Sequence, residues 1–441
     1  MNSPCSVAMP LGDEVEPSFL RSIVPLLILA LAMASGFTMM TSFSLVQEAA
    51  KAEMRLSDQI LGIVQGVSAA VPLVLFSIPI GILVDRTNRV RLLIGLGIIW
   101  TLGTFLTAVA QSVPMLFIAR MLAGIGTTGG LTAALSLIAD LCMPAQRGRA
   151  LLIVTLGKSL GQAAAFALTG WLLGLFLTHS APAWFGGMPP WRSTHMALAL
   201  ISMAAILPLL LMREPARREV AASTHAPFKV VAHELWARRA FLIPLFLGQV
   251  SVVMADAAAA IWASPVLSRS YGLAPQDFAG WMGVLIFLTG VLGAILGGFV
   301  ADLGQKSGRR GGLLIGAVVA AGIGIPAALY PVAPSVPLFG VALGLMILCG
   351  TITGLCTSVA LTVFMPNEVR GLCIGAFIAI AGLIGFGIAP TLVTWVSALL
   401  GGESHLGQGL AIVGVIVSAI SLAAFFVAMR RAPADAVHEP I

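Results

Sequence analysis

The stretch GILVDRTNR, residues 81–89, returns in looser form as GFVADLGQK at residues 298–306. Each copy follows an apolar run and places a glycine four residues before an aspartate, with basic residues in the turn that follows. A second pair, MPAQRG at 143–148 and MPNEVRG at 365–371, recurs at nearly the same interval. Two homologous halves are the economical explanation of both repeats.

The composition predicts a membrane protein. The chain has 441 residues, of which 59% are hydrophobic and 10% charged, whereas soluble domains carry about 25% charged residues. Apolar runs long enough to cross a hydrocarbon core of about 30 Å recur along the chain. We therefore expect an all-α polytopic membrane protein with twelve spans in two six-helix pseudo-repeats. The spans are predicted at 22–46, 59–84, 92–111, 115–140, 149–177, 194–212, 241–263, 277–301, 312–330, 337–365, 371–399 and 407–429.

The polar stretch 213–240 divides the predicted spans six and six. Most of the 24 lysines and arginines fall in loops on the side that would hold both termini, which places that side in the cytoplasm and the protein in the cytoplasmic membrane. The basic residues are scattered through short loops, so no nucleic-acid partner is expected despite a net charge of +6. The expected domains are a tail at 1–21, a bundle at 22–212, a linker at 213–240, a bundle at 241–429 and a tail at 430–441.

The loop that joins the second and third spans carries a family resemblance. The pattern Gly81-x-x-x-Asp85-Arg86-x-Asn88-Arg89 resembles the signature loop of the major facilitator superfamily, and Arg120-x-x-x-Gly124 resembles the superfamily's second motif. Within the superfamily the chain is most similar to the bacterial spinster-like branch, through LSLIAD at 135–140 and RGRA at 147–150. The resemblance implies a twelve-helix secondary transporter that works by alternating access, functions as a monomer among membrane lipids and needs no cofactor.

The two motif loops are expected to act as a conformational latch. By its position, Asp85 would lie near the start of span eleven, after Arg370, where free backbone N–H groups favour an anion. Asp302 would do the same for span five, and Asp140 could pair with Arg89 or Arg86. Such contacts would hold the halves together at the cytoplasmic side in the outward-facing state, unless these residues are only solvated loop charges. The predicted latch residues are Gly81, Asp85, Arg86, Arg89, Asp140, Gly298, Asp302 and Arg309.

Three ionisable residues lie inside predicted spans, where each costs about 2.5–3.5 kcal/mol on insertion scales. Arg120 lies near the outer end of span four and could partly reach the interface, whereas Lys158 lies near the midplane of span five. Asp256 is the only carboxylate well inside a span, so it is predicted to bind protons or to pair with Arg120 or Lys158. The polar residues Gln162, Gln65, Ser35 and Thr127 complete the predicted substrate-binding set.

Thr127 and Ser35 depart from the pattern of the spinster-like branch. The resemblance leads us to expect an acidic residue seven positions after Arg120, where this chain has Thr127, and an aspartate in span one near Ser35. With both acids replaced, two cations face one carboxylate in the spans. This excess of positive charge predicts an anionic substrate, either a small organic acid or an amphiphile with an anionic head.

Two other functions are open on the sequence alone: a multidrug/proton antiporter, and a membrane receptor or sensor that uses a transporter scaffold without moving its ligand. No motif of a membrane enzyme is recognisable, so no enzymatic activity is expected. The glycines of RMLAGIGTTGG, residues 120–130, fit the GxGxxG spacing of a dinucleotide site. That site requires a preceding strand, and these glycines lie in a continuous apolar run, which indicates helix packing.

Overall fold

The computed structural model describes residues 19–143, 146–179, 181–217, 236–365 and 367–433. The described residues contain helices and no strands, so the predicted all-α class is confirmed. Twelve helices are long and apolar enough to cross a membrane. They are α1 Ser22–Met54, α2 Asp58–Leu75, α3 Arg89–Val109, α4 Val113–Leu141, α5 Arg147–Thr178, α6 Pro190–Leu211, α7 Arg239–Tyr271, α8 Pro275–Lys306, α9 Gly312–Val332, α10 Val336–Phe364, α11 Gly375–Leu399 and α12 Glu403–Arg431.

Twelve crossings bring both described ends of the chain to one side, here called the terminal side; the opposite side is the far side. Odd-numbered helices run from the terminal side to the far side, and even-numbered helices run back. One buried core draws only on α1–α6 and a second only on α7–α12. These groups are called the first and second bundles. The linker predicted between them at 213–240 lies partly outside the described residues.

Three helices are irregular, and a proline accounts for the irregularity in two of them. Helix α2 stops at Leu75 and resumes as Ser77–Arg86, because Pro79 lacks the N–H that would bond the Leu75 carbonyl. In α11 a π-helical segment, Gly382–Ile388, directly precedes Pro390. Helix α1 is interrupted between Thr41 and Phe43.

The irregular parts of α2 and α11 lie against each other. A π-helical segment in α2, Ile63–Val67, meets the π-helical segment of α11. A Cβ added at Gly66 would lie 2.7 Å from the Phe386 carbonyl oxygen, which is the carbonyl that Pro390 cannot bond. Only a glycine allows this close approach. Because π-helical segments often mark functional positions, this contact between the bundles is one place where the helices can change their packing.

A third buried core joins the two bundles, and its members cluster toward the far side. It contains Phe43 and Leu45 of α1 together with Trp262 and Leu267 of α7. The Trp262 indole N–H donates to the Pro390 carbonyl of α11 at 3.0 Å. The Gln47 side-chain amide donates to the Ile261 carbonyl at 2.5 Å and so joins α1 to α7. The bundles are therefore tightly joined at the far side.

Candidate functional site

A cavity of about 310 Å³ lies between the bundles and is lined by α1, α5, α7, α8 and α10. Three residues predicted for the site line it together: Lys158 and Gln162 from α5, and Asp256 from α7. Lys158 and Gln162 are one helical turn apart, so both side chains face the same way. The cavity therefore contains one cation and one carboxylate, both partly buried, on opposite bundles.

Neither charge in this cavity has an ion-pair partner among the described residues. The Lys158 ammonium lies 5.2 Å from the centre of the Phe37 ring, a favourable contact that is not an ion pair. Asp256 Oδ1 is buried and lacks a hydrogen-bond donor in the described part of the chain. No direct ion pair of Asp256 with Lys158 or Arg120 is formed among the described residues in this conformation, and the choice between proton binding and pairing stays a prediction.

The carboxylate of Asp256 packs directly on the backbone of α10. A Cβ added at Gly350 would lie 2.6 Å from Asp256 Oδ2 and 2.9 Å from Oδ1. These separations are shorter than any side-chain contact allows, so Gly350 provides the space that the carboxylate occupies. Asp256 is thus positioned by the absence of a side chain on the facing helix.

Arg120 lines a smaller side pocket of about 60 Å³, which shares Thr41 and Ala260 with the main cavity. Its guanidinium donates to the carbonyls of Met39, at 3.1 Å, and Met40, immediately before the interruption of α1. The prediction that Arg120 partly reaches the interface is wrong, because the residue is only 7% exposed. It is held inward by the carbonyls that the broken helix presents.

Gln65 lines the same side pocket, and its amide donates to Gln47 Oε1. Gln47 in turn donates to the Ile261 carbonyl of α7. A hydrogen-bonded chain therefore runs from α2 through α1 to the second bundle. Gln65 is in place to sense a change in the contact between the bundles as well as a ligand in the side pocket.

Ser35 and Thr127 do not line the cavity, contrary to prediction. Ser35 Oγ lies 3.0 Å from Ser202 Oγ of α6, and Thr127 Oγ1 donates to the Gly36 carbonyl at 2.9 Å. Both residues are buried within the first bundle. Their hydroxyls satisfy neighbouring helices and fasten α1 to α4 and α6, so they belong to the packing of the bundle and not to the substrate site.

A network of charges that the sequence analysis missed closes the far side. The Arg269 guanidinium binds Glu48 at 2.7 Å and Asp58 at 2.6 Å. Lys51 binds Asp58 at 2.6 Å and also pairs with Glu403. We call these five residues the far-side network. Glu48, Lys51 and Asp58 belong to the first bundle and the other two to the second, so the network fastens the bundles across the entrance.

Loss of the Arg269 guanidinium should open the far side. In a protein whose native cysteines are replaced, Ala260→Cys gives a thiol inside the cavity. We expect Arg269→Gln to raise the labelling of this thiol from the far side by roughly 10- to 100-fold, the value of one hydrogen bond to a charged group. The reagent must be unable to cross the membrane.

The matched control is Arg192→Gln. Arg192 binds Glu53 at 2.9 Å on the same side, but both residues belong to the first bundle. The Arg192→Gln variant should leave the labelling of the cavity thiol unchanged. Equal labelling in the Arg192 and Arg269 variants would show that the far-side network does not hold the bundles together.

At the terminal side the predicted latch residues separate into two groups. Asp140 was predicted to pair with Arg89 or Arg86, and it pairs with Arg89, which is buried and also binds Glu214 at 2.7 Å. The remaining charged members are exposed, and a Cβ at Gly81 would meet no atom within 4 Å in the described structure. The exposed members are Asp85, Arg86, Asp302 and Arg309. The described contacts thus close the far side, and no described latch contact joins the bundles at the terminal side, which indicates a cavity that faces the terminal side.

The latch itself stays a prediction. The side chain of Arg370, predicted to lie beside Asp85, is outside the described residues. Gly298 lies 3.8 Å, measured from a Cβ added there, from Leu355 of its own bundle. In this conformation the described members of the loops do not join the bundles, as expected for a latch that forms only when the terminal side closes.

Known proteins resemble this chain in sequence and fold. The probable 4-methylmuconolactone transporter of Cupriavidus pinatubonensis (strain JMP 134 / LMG 1197) is 27% identical over 332 residues, 72% of each chain. The 3-(3-hydroxy-phenyl)propionate transporter of Escherichia coli (strain K12) is 34% identical over 110 residues, 25% of this chain and 27% of its own.

A solved structure supports the fold. A bacterial homolog of the human lysosomal transporter spinster, in an inward-facing and unoccupied conformation, superimposes with a TM-score of 0.79 at 22% identity and covers 93% of this chain and 97% of its own. The predicted likeness to the spinster-like branch is thus confirmed at the level of the fold. The family model of the Major Facilitator Superfamily matches residues 27–390, which is most of the sequence, and the chain belongs to that superfamily.

Proposed function

We propose that this transporter moves a small organic carboxylate together with a proton by alternating access. The observation that carries the proposal is the pair of unpartnered charges in the cavity, Lys158 on α5 and Asp256 on α7. A partly buried charge without a partner is costly, and a carboxylate ligand at Lys158 removes that cost. The substrate thus supplies the counter-ion that the chain omits.

Asp256 gives the coupling a physical basis. When Asp256 is protonated, Lys158 is the only charge of this cavity and attracts the substrate carboxylate. When the proton leaves, the Asp256 carboxylate competes for the same ammonium and favours release of the substrate. Proton and substrate would therefore enter together and leave together, which is the requirement for symport.

Two of the relatives described above favour an organic acid as the substrate. One is named as a transporter of 3-(3-hydroxy-phenyl)propionate, an aromatic carboxylate, and another as a transporter of 4-methylmuconolactone. A cationic drug would meet the ammonium of Lys158 in the cavity, which disfavours the multidrug antiporter alternative. Only transport itself distinguishes a transporter from a receptor on the same scaffold.

The setting of the protein follows the charge pattern of the loops. We infer that it is a monomer in the cytoplasmic membrane, surrounded by lipids, with both termini in the cytoplasm. The terminal side is then cytoplasmic, and the conformation described above faces inward. The substrate enters from the far side after the far-side network opens, and the latch around Asp85 and Asp302 closes the cytoplasmic side in that state.

Uptake into proteoliposomes tests the proposal, with labelled 3-phenylpropionate as the probe. An external pH one unit below the internal pH should drive uptake toward about tenfold accumulation, the free-energy equivalent of one pH unit, at an initial rate well above that of protein-free liposomes, which the uncharged acid enters unaided. Phenylpropylamine, of the same shape but opposite charge, should not accumulate. Binding without accumulation would indicate a sensor, and preferred transport of the amine would indicate a drug antiporter; either result overturns the proposal.

A further inference from the structure

The cavity changes character from one end to the other, and this inference rests on the proposed function. Helix α5 runs from the terminal side to the far side and lines the cavity with Thr155, Lys158, Ser159 and Gln162, and then Phe166. Its lining is therefore polar at the terminal-side end and aromatic at the far-side end.

The facing helices follow the same order. Helices α8 and α10 run in the opposite direction, so their first lining residues, Met282 and Leu343, lie at the far-side end. Their lining continues through Ile286 and Ile347 to Gly290 and Thr351 at the terminal-side end. On α7 the order is Asp256, then Ala259 and Ala263. Helices α5, α7 and α10 thus place charge or polarity near the opening, α8 ends there on Gly290 and Ala294, and all four helices present apolar surface at the closed end.

We infer that the cavity binds monocarboxylates whose apolar body is about one ring in size, with the body toward the closed far side and the carboxylate at Lys158. Phe166, Met282 and Leu343 then set the length of body that is accepted. A volume of about 310 Å³ lies at the lower limit of ligand pockets, which span about 300–1,000 Å³. A ring with a short chain fits this space, and a lysolipid does not.

The apolar end makes the cavity selective for ligand length, because each ligand methylene group that is buried there increases the affinity of the ligand. Each methylene that enters the apolar end without a clash should raise affinity about fourfold. A ligand whose alkyl chain reaches the Met282 and Leu343 side chains can gain no further affinity, because these residues are 2% and 1% exposed and already packed. Affinity should therefore pass through a maximum along a series of acids of increasing length.

The series phenylacetate, 3-phenylpropionate, 4-phenylbutyrate and 6-phenylhexanoate measures that maximum by competition against labelled 3-phenylpropionate. In Met282→Ala, which removes three side-chain heavy atoms, the maximum should move about two methylenes longer. Binding of the longer acids should rise roughly 10-fold. Leu343→Ala, on another helix, should shift the maximum in the same direction.

Met346→Ala is the matched control. Met346 lies on α10 in the same buried core as Met282, but it does not line the cavity. The variant should show the native length maximum. Variants at Met282 and Leu343 that carry 3-phenylpropionate with an unchanged maximum would overturn the inference and leave the proposed function intact. Failure of the native protein to carry any of these acids would overturn the proposed function instead.

Discussion

Lys158→Gln is expected to weaken binding of 3-phenylpropionate by roughly 10- to 100-fold, the value of one hydrogen bond to a charged group. Glutamine keeps a polar side chain of similar reach but loses the charge. The native ammonium has a ring contact with Phe37 and no ion pair among the residues described. Its removal should therefore leave the melting temperature of the detergent-purified protein unchanged or higher. Competition binding and thermal unfolding separate these effects.

Lys306→Gln makes the same chemical change at an exposed position on the terminal side of α8, and it should alter neither binding nor melting. A Lys158→Gln protein that melts at lower temperature and still binds the acid with native affinity would show that the ammonium serves the packing of the first bundle. The role of the Lys158 ammonium would then be its contact with Phe37, and a preference for anionic substrates would need another explanation.

The number and position of the helices were predictable because a lipid core tolerates only long apolar segments with satisfied backbones. The twelve predicted spans all overlap helices of the structure. The ends were less predictable. Helix α1 continues to Met54 through Glu48, Lys51 and Glu53, which hydropathy excludes from a span. Those charges extend the helix because they find partners on α2, α6 and α7.

The site was predictable where a charge stood alone in an apolar segment. Lys158 and Asp256 were found in this way, and the structure brings them to one cavity. Ser35 and Thr127 were misplaced because a hydroxyl can bond a neighbouring helix as easily as a ligand, and periodicity within one helix does not say which neighbour it faces. The relevant partners, Ser202 and Gly36, are identified only when three helices are packed.

The roles of Arg120 and the far-side network could not be predicted from the sequence for a different reason. The role of Arg120 depends on the interruption of α1 at Thr41, which frees the carbonyls that it binds; the sequence carries no proline or glycine at that point. The sequence analysis assigned no role in the site to Arg269 or Glu403. Their convergence on Asp58 requires three regions of the chain to meet at one entrance.

Gly350→Ala is expected to reduce pH-driven accumulation of 3-phenylpropionate by up to about 10-fold, which is the whole gain from one pH unit. The new Cβ would stand 2.6 Å from Asp256 Oδ2, so the carboxylate, as the movable end of its side chain, must turn away. Alanine also favours a helix over glycine by about 1 kcal/mol, so the fold should not be weakened. Exchange of external for internal substrate, which needs no net proton movement, should continue.

Gly354→Ala provides the control one turn further along α10. Its Cβ would lie 3.5 Å from Gln249 Nε2, an ordinary contact, and it brings the same gain in helix propensity. We expect Gly354→Ala to accumulate substrate as the native protein does. We expect Gly350→Ala to lose accumulation and keep exchange, which is also the phenotype expected of Asp256→Asn, although Gly350→Ala leaves the carboxylate itself unchanged. If Gly350→Ala accumulated substrate normally while Asp256→Asn did not, proton binding would not depend on where α10 holds the carboxylate. If Gly350→Ala and Asp256→Asn both accumulated substrate normally, Asp256 would not be the coupling residue. The comparison is decisive because the two glycine variants differ in one respect only, the atom that each new methyl group meets.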